Sequence, residues 1–103
     1  EKVDAYLRPQ LLPGAPQAFF QSVLQLLPPD VDAITQRYPS INAPALLIWG
    51  AGDPLVPPSI GQRLHAALPN SRLEIIPGVG HAPQEECADI TLGIIQKFLA
   101  SNR

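Results

Sequence analysis

Two short apolar runs, each followed at once by a glycine turn and a polar side chain, constrain the fold of this chain most strongly. Residues 45–49 lead through a Gly-Ala-Gly turn to Asp53, and residues 73–76 lead through a Pro-Gly-Val-Gly turn to His81. Runs this short, bounded by glycine and proline, are typical of strands buried on both faces. Each polar group is therefore expected at the end of a strand, where glycine lets the backbone turn sharply.

Helical periodicity follows each of the two runs. Apolar residues recur on one helical face, first at Ile60, Leu64, Ala67 and Leu68, and then within residues 88–99 at Ile90, Ile94 and Phe98. The order strand, helix, strand, helix builds a parallel sheet through right-handed crossovers. The expected fold class is therefore α/β, with two parallel strands and flanking helices. Because two strands leave both sheet edges open and are too few for a stable domain, we expect folding within a larger protein or against a complementary subunit.

Prolines divide the residues before the first strand into helical segments. A helix that begins at Pro16 is expected to run to Pro28, and a second helix, capped by Asp30, is expected to end at Pro39. The chain contains no methionine and opens within a helical pattern. We therefore expect it to be a fragment or a processed product.

Composition and charge exclude several classes of partner. The chain is 46% hydrophobic and 16% charged, as is ordinary for a soluble globular protein. Its net charge of −2, without a cluster of basic residues, predicts neither a nucleic-acid partner nor a membrane partner. No apolar run approaches the roughly 20 residues of a membrane helix. The single cysteine, Cys87, cannot form an internal disulfide, which favours a cytoplasmic location.

Asp53 and His81 are the candidate catalytic residues. Because adjacent parallel strands end at the same sheet edge, side chains that follow them can meet although they are far apart in sequence. An imidazole with a pKa of about 6.5 can take a proton from a hydroxyl and return it to a leaving group. A carboxylate on its other nitrogen fixes the tautomer. The alternatives are that Asp53 is only a turn residue and that His81 is only a loop histidine.

A metal site is conceivable from residue types alone, with Asp53, His65, His81 and Cys87 as ligands. The spacing argues against it, because the sequence lacks the paired His or Cys ligands that structural zinc sites usually show. We therefore expect neither a metal nor another cofactor. His65 is expected on the solvated face of its helix, and Cys87 is expected to have no catalytic role.

Two motifs carry a resemblance to a known family. Residues 44–57 read Pro-Ala-Leu-Leu-Ile-Trp-Gly-x-x-Asp-x-x-Val-Pro, and residues 76–86 read Ile-Pro-Gly-x-Gly-His-x-Pro-Gln-x-Glu. With the final amphipathic helix, they resemble the C-terminal part of an α/β-hydrolase. The resemblance implies that residues 40–103 form part of the hydrolase core. It implies that residues 1–39 are the end of a helical cap and the helix returning to the core.

The resemblance also implies roles for individual residues. Asp53 is then the acid and His81 the general base of a catalytic triad. The nucleophile is expected upstream, because neither Gly-x-Ser-x-Gly nor Gly-x-Cys-x-Gly occurs in the chain. The 103 residues alone are accordingly expected to be inactive. Phe19 and Phe20 are candidates for substrate binding beneath a cap. Glu85 and Glu86 are interpreted as charges that complement the dipole of the final helix.

The expected function is hydrolysis of a small, mostly apolar ester-like substrate by nucleophilic catalysis. An aspartate nucleophile would instead indicate an epoxide or haloalkane hydrolase, with His81 activating water. Other hypotheses are a non-catalytic ligand-binding or receptor module and a complete chain that pairs with another subunit. The expected partners are thus a small-molecule substrate and either the rest of the hydrolase chain or a complementary subunit.

Overall fold

The computed structural model describes the backbone of residues 2–102 and the side chains of residues 3–102. The chain divides into two compact units, Glu1–Thr35 and Gln36–Arg103. The first unit is helical and the second contains a small parallel sheet with helices.

The first unit consists of α1 (Lys2–Gln10), α2 (Ala15–Leu24) and α3 (Val31–Thr35). Pro16 lies in the first turn of α2, where its missing N–H costs no helical hydrogen bond. The prediction that this helix runs to Pro28 was wrong, because α2 ends at Leu24. The N–H groups of Gln25 and Leu26 bond to carbonyls three residues back, at Ser22 and Val23, which tightens and ends the last turn.

The second predicted helix is also shorter than expected. It was predicted to end at Pro39, but α3 ends at Thr35. A separate 3-10 turn, Tyr38–Ser40, follows in the second unit. Pro39 has no N–H to donate to the carbonyl four residues back, at Thr35, so the α-helical hydrogen bonding does not continue to Pro39.

The second unit contains β1 (Ala45–Gly50), α4 (Pro58–Ala67), β2 (Ser71–Ile76), α5 (Pro83–Glu86) and α6 (Ala88–Ser101). The two strands pair in parallel, in a register that runs from Ala45 opposite Ser71 to Gly50 opposite Ile76. The α/β class, the parallel pairing and the long helices are confirmed. The short helix α5 was not predicted, since four residues are too few to show a helical period.

The two strands are less enclosed than their apolar runs predict. Residues 45–49 of β1 are each half-buried, so the expectation of burial on both faces was wrong for the described residues. Buried apolar side chains in the described part of the chain are Ile76 at the carboxyl end of β2, Val79 in the loop after it, and Pro83 at the start of α5. Packing is therefore tightest where the two strand-end loops meet. No helix among the described residues is long and apolar enough to cross a membrane.

Candidate active site

The Asp53 loop is fixed by a hydrogen-bonded turn after β1. One carboxylate oxygen, Oδ1, accepts the backbone N–H groups of Leu55 and Val56, each at 2.9 Å. The indole Nε1 of Trp49 donates to the Val56 carbonyl at 2.8 Å. Only 5% of the Asp53 side chain is exposed. The carboxylate is therefore held rigidly, with its second oxygen available to another partner.

The loop that carries His81 passes directly over the end of β1. The Gly52 N–H donates to the Val79 carbonyl at 2.9 Å. A Cβ atom at Gly50 would overlap the backbone carbonyl oxygens of Val79 and Gly80. Glycine at position 50 thus permits the close approach of the two loops.

His81 and Asp53 form a hydrogen-bonded pair. The His81 Nδ1 lies 2.9 Å from the Asp53 Oδ2, although the residues are 28 positions apart in sequence. About half of the His81 side chain, 52%, is exposed. Because an ionised carboxylate only accepts hydrogen bonds, the neutral ring carries its hydrogen on Nδ1. The other ring nitrogen, Nε2, is then the one that can take up a proton.

The pKa of Asp53 lies below its ordinary value of 3.8. Burial by itself raises this pKa, but it is outweighed by the hydrogen bonds from Val56, His81 and Leu55, together with the charge of His81. Asp53 is therefore ionised at neutral pH. This is the state in which it can orient an imidazole and stabilise an imidazolium.

Glu86 also contacts this site, which the sequence interpretation as a helix-dipole charge missed. Its Oε2 accepts the Gly80 N–H at 2.8 Å and its Oε1 accepts the Ala82 N–H at 3.0 Å. These two bonds lower the pKa of Glu86 below its ordinary value of 4.5. The sequence signal was a glutamate five residues after His81, beyond an intervening Pro83.

A cavity of about 160 Å³ opens at the strand ends beside the pair. Its walls are mainly apolar, and Asp53 and His81 are the ionisable residues among them. The other residues that line the cavity are Ile48, Trp49, Gly50, Val56 and Pro83. A proton-accepting imidazole thus borders a small apolar space.

Within the second unit, His65 and Cys87 are not among the residues that line this cavity. Phe19 and Phe20 lie on α2 in the first unit, 61% and 60% exposed, so their role in substrate binding stays a prediction. His65 is exposed on α4, where its Nδ1 lies 2.7 Å from the Ser71 Oγ. Cys87 donates its thiol to the Pro83 carbonyl at 3.3 Å. The described residues include no cluster of three or more His, Cys, Asp or Glu placed to hold a metal ion.

Comparison with known proteins places these motifs in a family. The uncharacterized hydrolase YugF of Bacillus subtilis is 35% identical over 100 residues, which are 96% of this chain and 35% of YugF. The 2-hydroxy-6-oxononadienedioate/2-hydroxy-6-oxononatrienedioate hydrolase 2 of Pseudomonas putida is 40% identical over 63 residues, 61% of this chain and 22% of that enzyme. The chain thus spans about a third and about a fifth of the lengths of these two relatives.

Solved structures agree on the fold. The crystal structure of MGS-MChE2, an alpha/beta hydrolase from a lagoon-sediment metagenome, superposes with a TM-score of 0.65 at 23% identity, covering 67% of this chain and 32% of that one. A family model described as the alpha/beta hydrolase fold matches residues 12–88. The chain therefore belongs to the α/β-hydrolase fold family.

Proposed function

We propose that Asp53 and His81 are the orienting acid and the general base of a hydrolase that acts by nucleophilic catalysis on a small, mostly apolar ester. The observation that supports this most directly is the 2.9 Å hydrogen bond between His81 Nδ1 and Asp53 Oδ2. It directs the unprotonated Nε2 away from the carboxylate, as a general base requires. The nucleophile is proposed to come from a segment upstream of this sequence.

Each half of the proposed reaction has two proton transfers through His81. Nε2 takes the proton of the nucleophile hydroxyl as its oxygen attacks the ester carbonyl, and it then gives that proton to the leaving alcohol as the C–O bond breaks. Water repeats the sequence on the acyl-enzyme and releases the acid. Asp53 stays ionised throughout and stabilises each imidazolium.

The cavity supports the choice of an apolar substrate. No lysine or arginine lies among the described residues that line it, whereas a carboxylate group on a substrate is usually bound by such cations. One relative hydrolyses, by its name, an oxo-dicarboxylate. The part of the pocket that this chain supplies offers no cationic side chain for such a substrate, so an uncharged ester is the proposed class.

The central test is removal of the proposed base in the full-length protein that carries this sequence. For His81→Ala, turnover of a short-chain p-nitrophenyl ester is expected to fall by at least about 100-fold, because general-base catalysis is lost. His65→Ala is the matched control: it removes the chain's other histidine, which is exposed on α4, and should leave turnover unchanged. Normal turnover in His81→Ala would show that His81 is not the base.

The identity of the nucleophile is tested by the gene sequence upstream of Glu1. A Gly-x-Ser-x-Gly motif after an apolar run supports ester hydrolysis, and an aspartate at that position points instead to epoxide or carbon–halogen hydrolysis. A start codon immediately before Glu1 would contradict the proposed upstream nucleophile within the same chain. The nucleophile would then have to come from a partner subunit.

A further inference from the structure

Both backbone N–H groups that flank His81 bond to a single carboxylate. Gly80 donates to Oε2 of Glu86 at 2.8 Å, and Ala82 donates to Oε1 at 3.0 Å. Hydrogen bonds to an ionised acceptor are shorter and stronger than bonds to a neutral one. The backbone of His81 is therefore held on both sides by the same side chain.

The carboxylate is itself anchored to the rest of the unit. Glu86 ends α5, and the Pro83 carbonyl at the start of α5 accepts the Thr91 hydroxyl at 3.0 Å and the Cys87 N–H at 2.9 Å. Thr91 is buried on α6. The His81 loop is thus connected through Glu86 to the final helix, whereas Asp53 holds the ring from the β1 side.

We propose that Glu86 is a positioning residue for His81. By accepting the Gly80 and Ala82 N–H groups, it keeps the His81 Nδ1 within hydrogen-bonding distance of the Asp53 carboxylate and directs Nε2 toward the cavity. This inference rests on the proposed function, because it assigns Glu86 to the same site. Two N–H donors require two acceptor atoms, which a carboxylate provides. A glutamine provides one acceptor and turns its NH₂ group toward the second N–H, so it cannot replace both bonds.

The electrostatics keep Glu86 in its accepting form. Its pKa is lowered first by the Gly80 and Ala82 bonds and further by the charge of His81, while burial and the charge of Asp53 oppose this. Glu86 therefore stays ionised throughout the pH range in which a neutral imidazole can act as a base. The competing explanation is a simple helix-terminal charge, which would make Glu86 equivalent to Asp89 in the first turn of α6.

The test compares Glu86→Gln with Asp89→Asn in the full-length protein, since each change removes one negative charge near a helix start. For Glu86→Gln, we expect kcat to fall by about 10- to 100-fold with KM nearly unchanged, as expected when a reacting group is misplaced. We also expect ¹⁵N shifts of the His81 ring to show a loss of the Nδ1–H tautomer. Asp89→Asn should change neither property.

The outcomes separate this inference from the proposed function. If Glu86→Gln matches Asp89→Asn in kcat and in ring tautomer while His81→Ala is inactive, the positioning role is wrong and the proposed function stands. If His81→Ala keeps its activity, the proposed function fails first, and the positioning role fails with it.

A measurement on the unmodified protein covers the case in which Glu86→Gln does not fold. The amide ¹H signals of Gly80 and Ala82 should shift together as Glu86 is protonated, at a pH below the ordinary glutamate value of 4.5. Independent or absent titration of these two amides would contradict a shared carboxylate acceptor.

Discussion

The two oxygens of Asp53 have different partners, and this separates two explanations of the residue. Oδ1 closes the turn by accepting the Leu55 and Val56 N–H groups, and Oδ2 faces His81. A residue needed only for the turn requires Oδ1 alone. A residue that orients the imidazole also requires an acceptor at the second position.

Asp53→Asn should keep the hydrogen bonds that close the turn and remove the acceptor that orients the His81 ring. Its side-chain oxygen can still accept from Leu55 and Val56, but its NH₂ group then faces His81 Nδ1 and forces the ring hydrogen onto Nε2. We expect kcat for ester hydrolysis by the full-length protein to fall by roughly 10⁴-fold and the melting temperature to change little. Wild-type turnover in this variant would leave Asp53 as a turn residue only.

The Asp53–His81 pair could be predicted from the strand pattern, whereas the position of Glu86 five residues after His81 did not by itself identify its contact. Residues that follow neighbouring parallel strands must emerge at one sheet edge, so the apolar runs alone bring Asp53 and His81 close. An acidic residue ahead of a helix has a sufficient local explanation in the helix dipole. Only the folded structure shows that the Gly80 and Ala82 N–H groups donate to the Glu86 carboxylate.

Among the structural elements, the end of β1 has the strictest steric requirement. A methyl group at Gly50 would overlap the Val79 and Gly80 carbonyl oxygens, and these are backbone atoms that cannot rotate away. A methyl group at Gly93, in the middle of α6, would meet no atom within 4 Å. A larger residue is therefore excluded by the backbone at position 50 and accommodated at position 93.

We expect Gly50→Ala to destabilise the full-length protein by about 1–3 kcal/mol, because overpacking against backbone forces the two loops apart. Gly93→Ala is the control and should stabilise it by about 0.5–1 kcal/mol, since alanine loses less conformational entropy in a helix. Denaturant midpoints of the two variants provide the measurement. Equal midpoints would contradict the close approach of the Asp53 and His81 loops.

The positions of prolines predict where helices start better than where they end, because backbone hydrogen bonds can end a helix before the next proline. Proline correctly marks the starts of α2 and α4, because it is accommodated in a first helical turn. It marks helix ends less well. Pro28 predicted the end of α2 too late, since the backbone had already turned at Gln25 to satisfy its donors locally. The apolar run of β1 predicts a strand covered on both faces, whereas the described residues cover it only in part.

The molecule as a whole presents much apolar surface for its size. Across the described residues, Ile76, Val79 and Pro83 are the buried apolar side chains. Many large apolar side chains are over half exposed, among them Leu11, Leu27, Phe19 and Leu55. Hydrophobic burial is the main favourable term in folding, and a two-stranded parallel sheet is too small for independent stability. The same apolar surface and open sheet edges favour association with further protein.

The proposed upstream nucleophile and the small sheet together predict how the 103 residues behave on their own. We expect these residues to associate in size-exclusion chromatography and to unfold without a cooperative calorimetric transition, because two strands are too few for a stable sheet. We also expect them to hydrolyse activated esters no faster than buffer, because the proposed nucleophile lies outside them. A monodisperse monomer with a sharp transition would show that this short sheet is self-sufficient. Ester hydrolysis that a serine-directed inhibitor abolishes would place the nucleophile within these residues, and the proposed upstream nucleophile would then be wrong.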